Sequence, residues 1–216
     1  MRRPLQHEIA ATSLGILGGS FNPPHLGHLA VARQARDQLD LERVLLMPAH
    51  SPPHKHREQD PGPEHRLRMC RLAVDSLPGL SACALEIERG GTSYTIDTLR
   101  AVHAGNPQAR LTFIVGADMA RTLPTWREPQ ALLELADLAV AERDGGEREE
   151  LLDVLATLSP RGRLEVLDMP PVEVSSSLVR ARVARGDPVE SLVGAPVASY
   201  ISEHRLYRES VEVEIP

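Results

Sequence analysis

Apolar residues along this chain fall into two alternating rhythms. Short runs such as SLGILGG, 13–19, and RVLLMP, 43–48, are apolar almost throughout and close on glycine or proline, as strands buried on both faces do. Between such runs stand longer stretches with apolar positions three and four apart. HLGHLAVARQARDQL, 25–39, and EHRLRMCRLAVDSL, 64–77, are of this kind and read as amphipathic helices. SACALEI, 81–87, and SYTIDTLRAVHAG, 93–105, repeat the pair of strand and helix, with Gly105 where a helix C-cap is expected. ARLTFIVGAD, 109–118, DLAVAE, 137–142, and GRLEVLD, 162–168, supply three more strands. Strands that alternate with helices at this interval predict an α/β fold, a parallel sheet covered by helices on both faces. ERDGGEREE, 142–150, reads as a solvated loop and helix start, and ESVEVEIP, 209–216, as a surface arm.

Composition narrows the class. With 216 residues, 42% of them hydrophobic, the chain can bury one full core. No apolar run approaches the roughly 20 residues of a membrane span, and the charged start runs straight into a strand pattern, so a cytoplasmic protein is expected, with no membrane partner. Cys70 and Cys83 lack zinc-like spacing and read as packed, reduced thiols. A net charge of −6 argues against a general nucleic-acid binder. Any anionic ligand must then be held by a local cluster. A homo-oligomer is neither required nor excluded by the sequence.

The candidate cluster is GGSFNPPHLGHL, 18–29. It lies at the carboxyl end of the first strand, where parallel sheets gather ligands. Gly18 and Gly19 let the backbone pass close to a bulky anion, and the helix beginning near His25 presents unpaired N–H groups to it. His25 and His28, three apart, share a helix face, and Gly27 between them clears the space above that turn. The turn carries neither the lysine-bearing phosphate loop nor the dinucleotide glycine fingerprint. HSPPHKH, 50–56, offers loop spacing without cysteine or a helically spaced carboxylate, which disfavours zinc.

HLGH after GGSFNPP resembles the HxGH signature of the nucleotidyltransferases that share a core with class I aminoacyl-tRNA synthetases. VSSSLVR, 174–180, matches the second motif of that superfamily, some 150 residues downstream. PPHK at 52–55, GTSYTIDTL at 91–99, FIVGADMARTLPTW at 113–126 and YISEHRLY at 200–207 are together similar to the bacterial nicotinate-nucleotide adenylyltransferase family, over roughly residues 13–208. The resemblance implies a Rossmann-like nucleotidyltransferase fold: a single domain over 13–208, with a helical part at 175–208, an extension at 1–12 and a tail at 209–216. It implies ATP and nicotinate mononucleotide as substrates, deamido-NAD and pyrophosphate as products, and magnesium (Mg2+) bound mainly through the ATP phosphates rather than by side chains.

Roles follow residue by residue from the same resemblance. His28 is expected to donate to an α-phosphate oxygen and His25 to reach the triphosphate, with neighbouring phosphates favouring the imidazolium form. Arg180, with Ser175, Ser176 and Ser177, is expected to hold the β- and γ-phosphates. Gly18, Gly19, Ser20 and Phe21 would surround ATP, and Gly116 and Asp118 would meet its ribose. On the acceptor side, Trp126 would stack on the pyridine ring, Tyr94 and Thr95 would receive the nicotinate carboxylate, and Lys55 would clamp phosphate. His50 and Arg143 complete the acceptor set, although many relatives carry asparagine at the first position and proline after the second. Three alternatives stand beside this reading: Trp126 plugs the core, the acceptor is pantetheine phosphate, or the chain is a catalytically silent nucleotide-binding module.

Overall fold

The computed structural model describes residues 11–52, 59–142, 148–158, 162–170 and 172–208. The apolar runs form six strands: β1 (Ser13–Gly19), β2 (Arg43–Pro48), β3 (Leu80–Ala82), β4 (Arg110–Gly116), β5 (Asp137–Ala141) and β6 (Leu164–Leu167). All neighbouring pairs run parallel, in the order β3-β2-β1-β4-β5-β6. The order reverses between β1 and β4. A cleft therefore opens at their carboxyl ends, beyond Gly19 and Gly116.

Helices follow the strands: α1 (Leu26–Gln38), α2 (Pro63–Val74), α3 (Leu85–Arg89), α4 (Thr95–Gly105), α5 (Ala117–Arg121), α6 (Pro129–Leu135) and α7 (Arg148–Ala156). A 3-10 turn, Leu123–Thr125, separates α5 from α6, and α8 (Ser176–Ala184), α9 (Glu190–Val193) and α10 (Ala195–Glu203) follow β6. Side chains alternate across each strand and sort into two cores. Ile16, Leu45, Phe113 and Val115 face α4, α6 and α7 through Leu99, Leu132 and Leu151. Leu17, Val44, Leu46 and Ile114 face α1 and α2 through Ala32, Leu67 and Cys70. Gly15 is dictated by this second core, since a Cβ there would stand 2.8–2.9 Å from Ile114, Leu41 and Val44. A third cluster joins α8, α9 and α10 to α2 through Val179, Val193, Val197 and Met69.

Two local expectations are corrected. The run at 81–87 is not one strand: β3 stops at Ala82 and Leu85–Arg89 turns into α3. Leu85 feeds the first core and Ile87 the second. A strand would put residues two apart on one face, whereas a helical turn sends them to opposite sides. Gly105 does not cap α4. It is the last helical residue, and Asn106 closes the end, its N–H meeting the carbonyls of Val102 and His103 and its side chain that of Ala11. Both cysteines are buried and joined in no disulfide, and burial pushes the Cys70 thiol pKa far up. Among the described residues no helix is long and apolar enough to cross a membrane. The tail at 209–216 and most of the extension and of the 142–150 loop lie outside the described residues.

Candidate active site

His25 is the N-cap of α1 and His28 its third residue, so the helix start fixes both rings. The rings stack at 3.7 Å between centroids. Nδ1 of His28 accepts the backbone N–H of His25 at 3.2 Å. That bond needs a lone pair on Nδ1, which leaves the proton on Nε2 and makes His28 a neutral donor. The imidazolium expected from neighbouring phosphates would surrender it. Phe21, in the left-handed region at φ 49° and 1% exposed, meets the His28 ring edge-on at 4.9 Å. Its side chain props the imidazole from below, so only its backbone can reach a nucleotide. Gly27 also differs from expectation: a Cβ there would lie 3.1–3.2 Å from the His25 ring and Val174. The missing side chain makes room for the protein itself.

Val174 heads the second motif, and the three serines that follow divide the work. Ser175 caps α8 by accepting the N–H of Leu178 at 3.1 Å. Ser176 donates to the Pro23 carbonyl at 2.9 Å, and Ser177 accepts from Nη2 of Arg180 at 3.2 Å. Nη1 of Arg180 donates to the Asn22 carbonyl at 2.8 Å. The two motifs, 158 residues apart at this contact, are thereby one structure.

Further ties hold the same loop from beneath. Arg66, fully buried on α2, donates to the carbonyls of Ser20 at 2.8 Å and His50 at 3.1 Å and to Asp60 at 3.0 Å. Tyr207 donates to Oδ1 of Asn22 at 2.9 Å, and burial pushes its hydroxyl pKa far above the ordinary value, so the proton stays. Sequence reading missed Arg66, Tyr207 and Asn22. A signal was there for the first: Arg66 adjoins Leu67 and shares a buried helix face with Met69 and Cys70, where an unneeded cation is costly.

Gly18 and Gly19 also border a cavity of about 370 Å³ on the other side of the turn. Tyr94, Thr95, Phe113 and Trp126 wall it. Tyr94 is the N-cap of α4, with no side-chain cap bond, so the helix start opens toward the cavity. Trp126 is half-buried: it packs on the first core and stands edge-on to Phe113 at 5.9 Å, its indole N–H donating to Thr122 at 2.9 Å. It thus braces the core and lines the cavity at once. Glu86 and Arg127, both absent from the sequence reading, are the charged residues of the lining. The Arg127 guanidinium lies 4.9 Å from the Tyr94 ring centroid and 3.5 Å from Asp97.

The remaining expected residues are dispersed. His50 straps two loops together, its N–H on the Ser93 hydroxyl and Nδ1 at 3.0 Å from the Gly91 carbonyl, while its neighbours Ala49 and Pro52 line the cavity. Gly116 caps α5 at the end of β4. Asp118 is fully exposed at that rim, 3.4 Å from Arg121. Lys55 and Arg143 lie outside the described residues.

A family model described as cytidylyltransferase-like matches residues 16–182. The "Probable nicotinate-nucleotide adenylyltransferase" of Symbiobacterium thermophilum is 41% identical over 196 residues, 90% of this chain and 94% of that one. The chain belongs to the nicotinate-nucleotide adenylyltransferase family. Another relative of that family, from Bordetella petrii and described in the same words, is 42% identical, covering 90% of this chain and 98% of its own. Among solved structures, Plasmodium falciparum nicotinic acid mononucleotide adenylyltransferase complexed with NaAD matches with a TM-score of 0.74 at 18% identity, over 91% of this chain and 97% of that one. At that identity the likeness speaks for the fold, and the nicotinate-nucleotide adenylyltransferase family is carried by the closer relatives.

Proposed function

We propose that this chain joins ATP to nicotinate mononucleotide, giving deamido-NAD and pyrophosphate. One observation carries the reading: the stacked histidines and Arg180 meet on one stretch, 18–28, whose leading glycines, Gly18 and Gly19, also edge an aromatic cavity. Polyphosphate on one side of that stretch and a flat ring on the other puts the reacting phosphates between them.

A phosphate oxygen of the mononucleotide attacks the α-phosphorus in line. One P–O bond forms, the bond to the β-phosphate oxygen breaks, and pyrophosphate leaves with its electron pair. The attacking oxygen is already anionic, so no side chain need take a proton. Rate comes from positioning and from donors fixed where charge spreads. The Nε2–H of His28 serves the α-phosphate oxygens, with His25 beside it, and the N–H groups that Arg180 keeps free of Asn22 and Ser177 serve the leaving group. Gly18, Gly19 and Ser20 supply backbone, and Asp118 at the β4 rim receives ribose hydroxyls of adenosine.

Magnesium, when bound, would offset charge on the triphosphate. It would be held mainly through phosphate oxygens and water, since that ion keeps most of its waters; among the described residues no three side chains of metal-binding type gather. The pyridine ring stacks on Trp126, and the start of α4 together with Arg127 favours a carboxylate over a carboxamide.

The test is pyrophosphate release from ATP and magnesium with nicotinate or nicotinamide mononucleotide. Faster turnover of the acid form is expected. A well-folded preparation that binds ATP but turns over neither acceptor would return the reading to a silent nucleotide-binding module.

A further inference from the structure

Glu86 is the one carboxylate lining the acceptor cavity among the described residues, and it is 6% exposed. It stands on α3, the turn that replaces an expected strand. The Thr98 hydroxyl donates to its Oε1 at 2.5 Å, and Arg89 donates to the same Thr98 oxygen at 3.1 Å. One carboxylate oxygen is therefore fixed. Its partner, Oε2, receives no donor from the described residues. A carboxylate so far removed from water is costly unless its lone pairs are met. Oε2 is not among the sealed, unpartnered side-chain atoms of the described residues, so it opens to the cavity, where a substrate donor can take the place of water.

Nicotinate mononucleotide has few means of doing so. Its phosphate and its ring carboxylate only accept hydrogen bonds, and the two ribose hydroxyls are its donors. Facing the ring carboxylate instead would set two anions together, against the acid form that the α4 start and Arg127 favour. Resting on the function proposed above, we infer that Glu86 accepts the ribose hydroxyls of the acceptor nucleotide and so turns its phosphate toward the α-phosphorus of ATP. Glu86 is then a binding and orienting residue that sets the sugar rather than the ring.

The experiment is a kinetic cycle with the full chain, comparing wild type, Glu86→Ala and Glu86→Gln on nicotinate mononucleotide and on its 2′,3′-dideoxyribose analogue. In the wild type, removing the diol should cut kcat/KM by roughly 10- to 100-fold. Glu86→Ala should lose a similar factor on the parent substrate and nothing further on the analogue, while KM for ATP stays put. Glu86→Gln keeps the shape and the Thr98 bond, loses less, and carries the same comparison should the alanine variant fold poorly. Losses that multiply would overturn the assignment, as would a variant that gains activity toward the acid form relative to the amide. A wild type inert with both pyridine nucleotides sinks the function itself, whereas an active wild type with multiplying losses sinks only the role of Glu86.

Discussion

The two halves of the site are built in opposite ways. At the histidine turn the carbonyls of Ser20, Asn22 and Pro23 are each taken by a side chain 46 to 158 residues away: Arg66, Arg180 and Ser176. The aromatic cavity draws on residues from 18 to 127, but its two main rings are set locally. Trp126 leans on Thr122, four residues back, and Tyr94 simply begins the helix it caps. Long-range ties hold a backbone within the fraction of an ångström that in-line transfer requires. Local contacts leave a ring pocket room to adjust. Damage to the first half should therefore strike turnover or the fold, and damage to the second should strike affinity and choice of acceptor.

The largest expected effect is on Arg66. Arg66→Ala takes a fully buried guanidinium away from partly exposed Asp60 and from two partly buried carbonyls, a change worth about 3 kcal/mol. Urea unfolding measures it; a loss below 1 kcal/mol would mean that the turn does not depend on this brace. Next comes His28→Ala. It removes the fixed Nε2 donor, and kcat should fall by roughly 10²–10³, while stability falls only by about 1 kcal/mol for the lost helix-start bond. A large drop in stability with little change in kcat would reverse the contrast between the halves.

Across the turn, Trp126→Ala should raise KM for the mononucleotide by about 10- to 30-fold, the scale of one lost stacking partner, with kcat and KM for ATP little changed. Because the indole also packs on the first core, a modest loss of thermal stability is expected alongside. Outright unfolding would make the core the main use of this ring. An equal fall in kcat would show that the cavity helps to align the phosphates and is not a separate module.

What could be read from sequence divides along the same line. The alternation of runs predicted strands β1, β2, β4, β5 and β6: the first four are buried on both faces and so apolar almost throughout, while β6, at the sheet edge, is mostly not buried. Nearby chemistry was legible too: His25 and His28 share a turn, and Ser175 caps the helix that follows it. The long-range ties were not, since nothing in the spacing of Arg66 or Tyr207 says that each reaches a carbonyl or amide of residues 20–22. Glu86 escaped for a further reason. It lies between Leu85 and Ile87 in the run read as one strand, and the helical turn that replaces that strand puts it in the cavity lining. Even the histidine tautomer depends on a bond that only the folded N-cap makes.

The smallest effect sharpens the second half of the comparison. Arg127 is about half exposed, shares its charge with Asp97 and rests on the Tyr94 ring, so any attraction it lends a nicotinate carboxylate is screened by water and salt. Arg127→Ala should lower the ratio of kcat/KM for nicotinate over nicotinamide mononucleotide by only about two- to fivefold at low ionic strength. The same variant in high salt should show less, because the wild-type advantage has already been screened there. The backbone N–H groups at the start of α4 are fixed, neutral donors and keep their preference in salt. A ratio that Arg127→Ala leaves untouched even at low salt would assign acid selection wholly to that helix start, and a collapse of the ratio would make the arginine its main source.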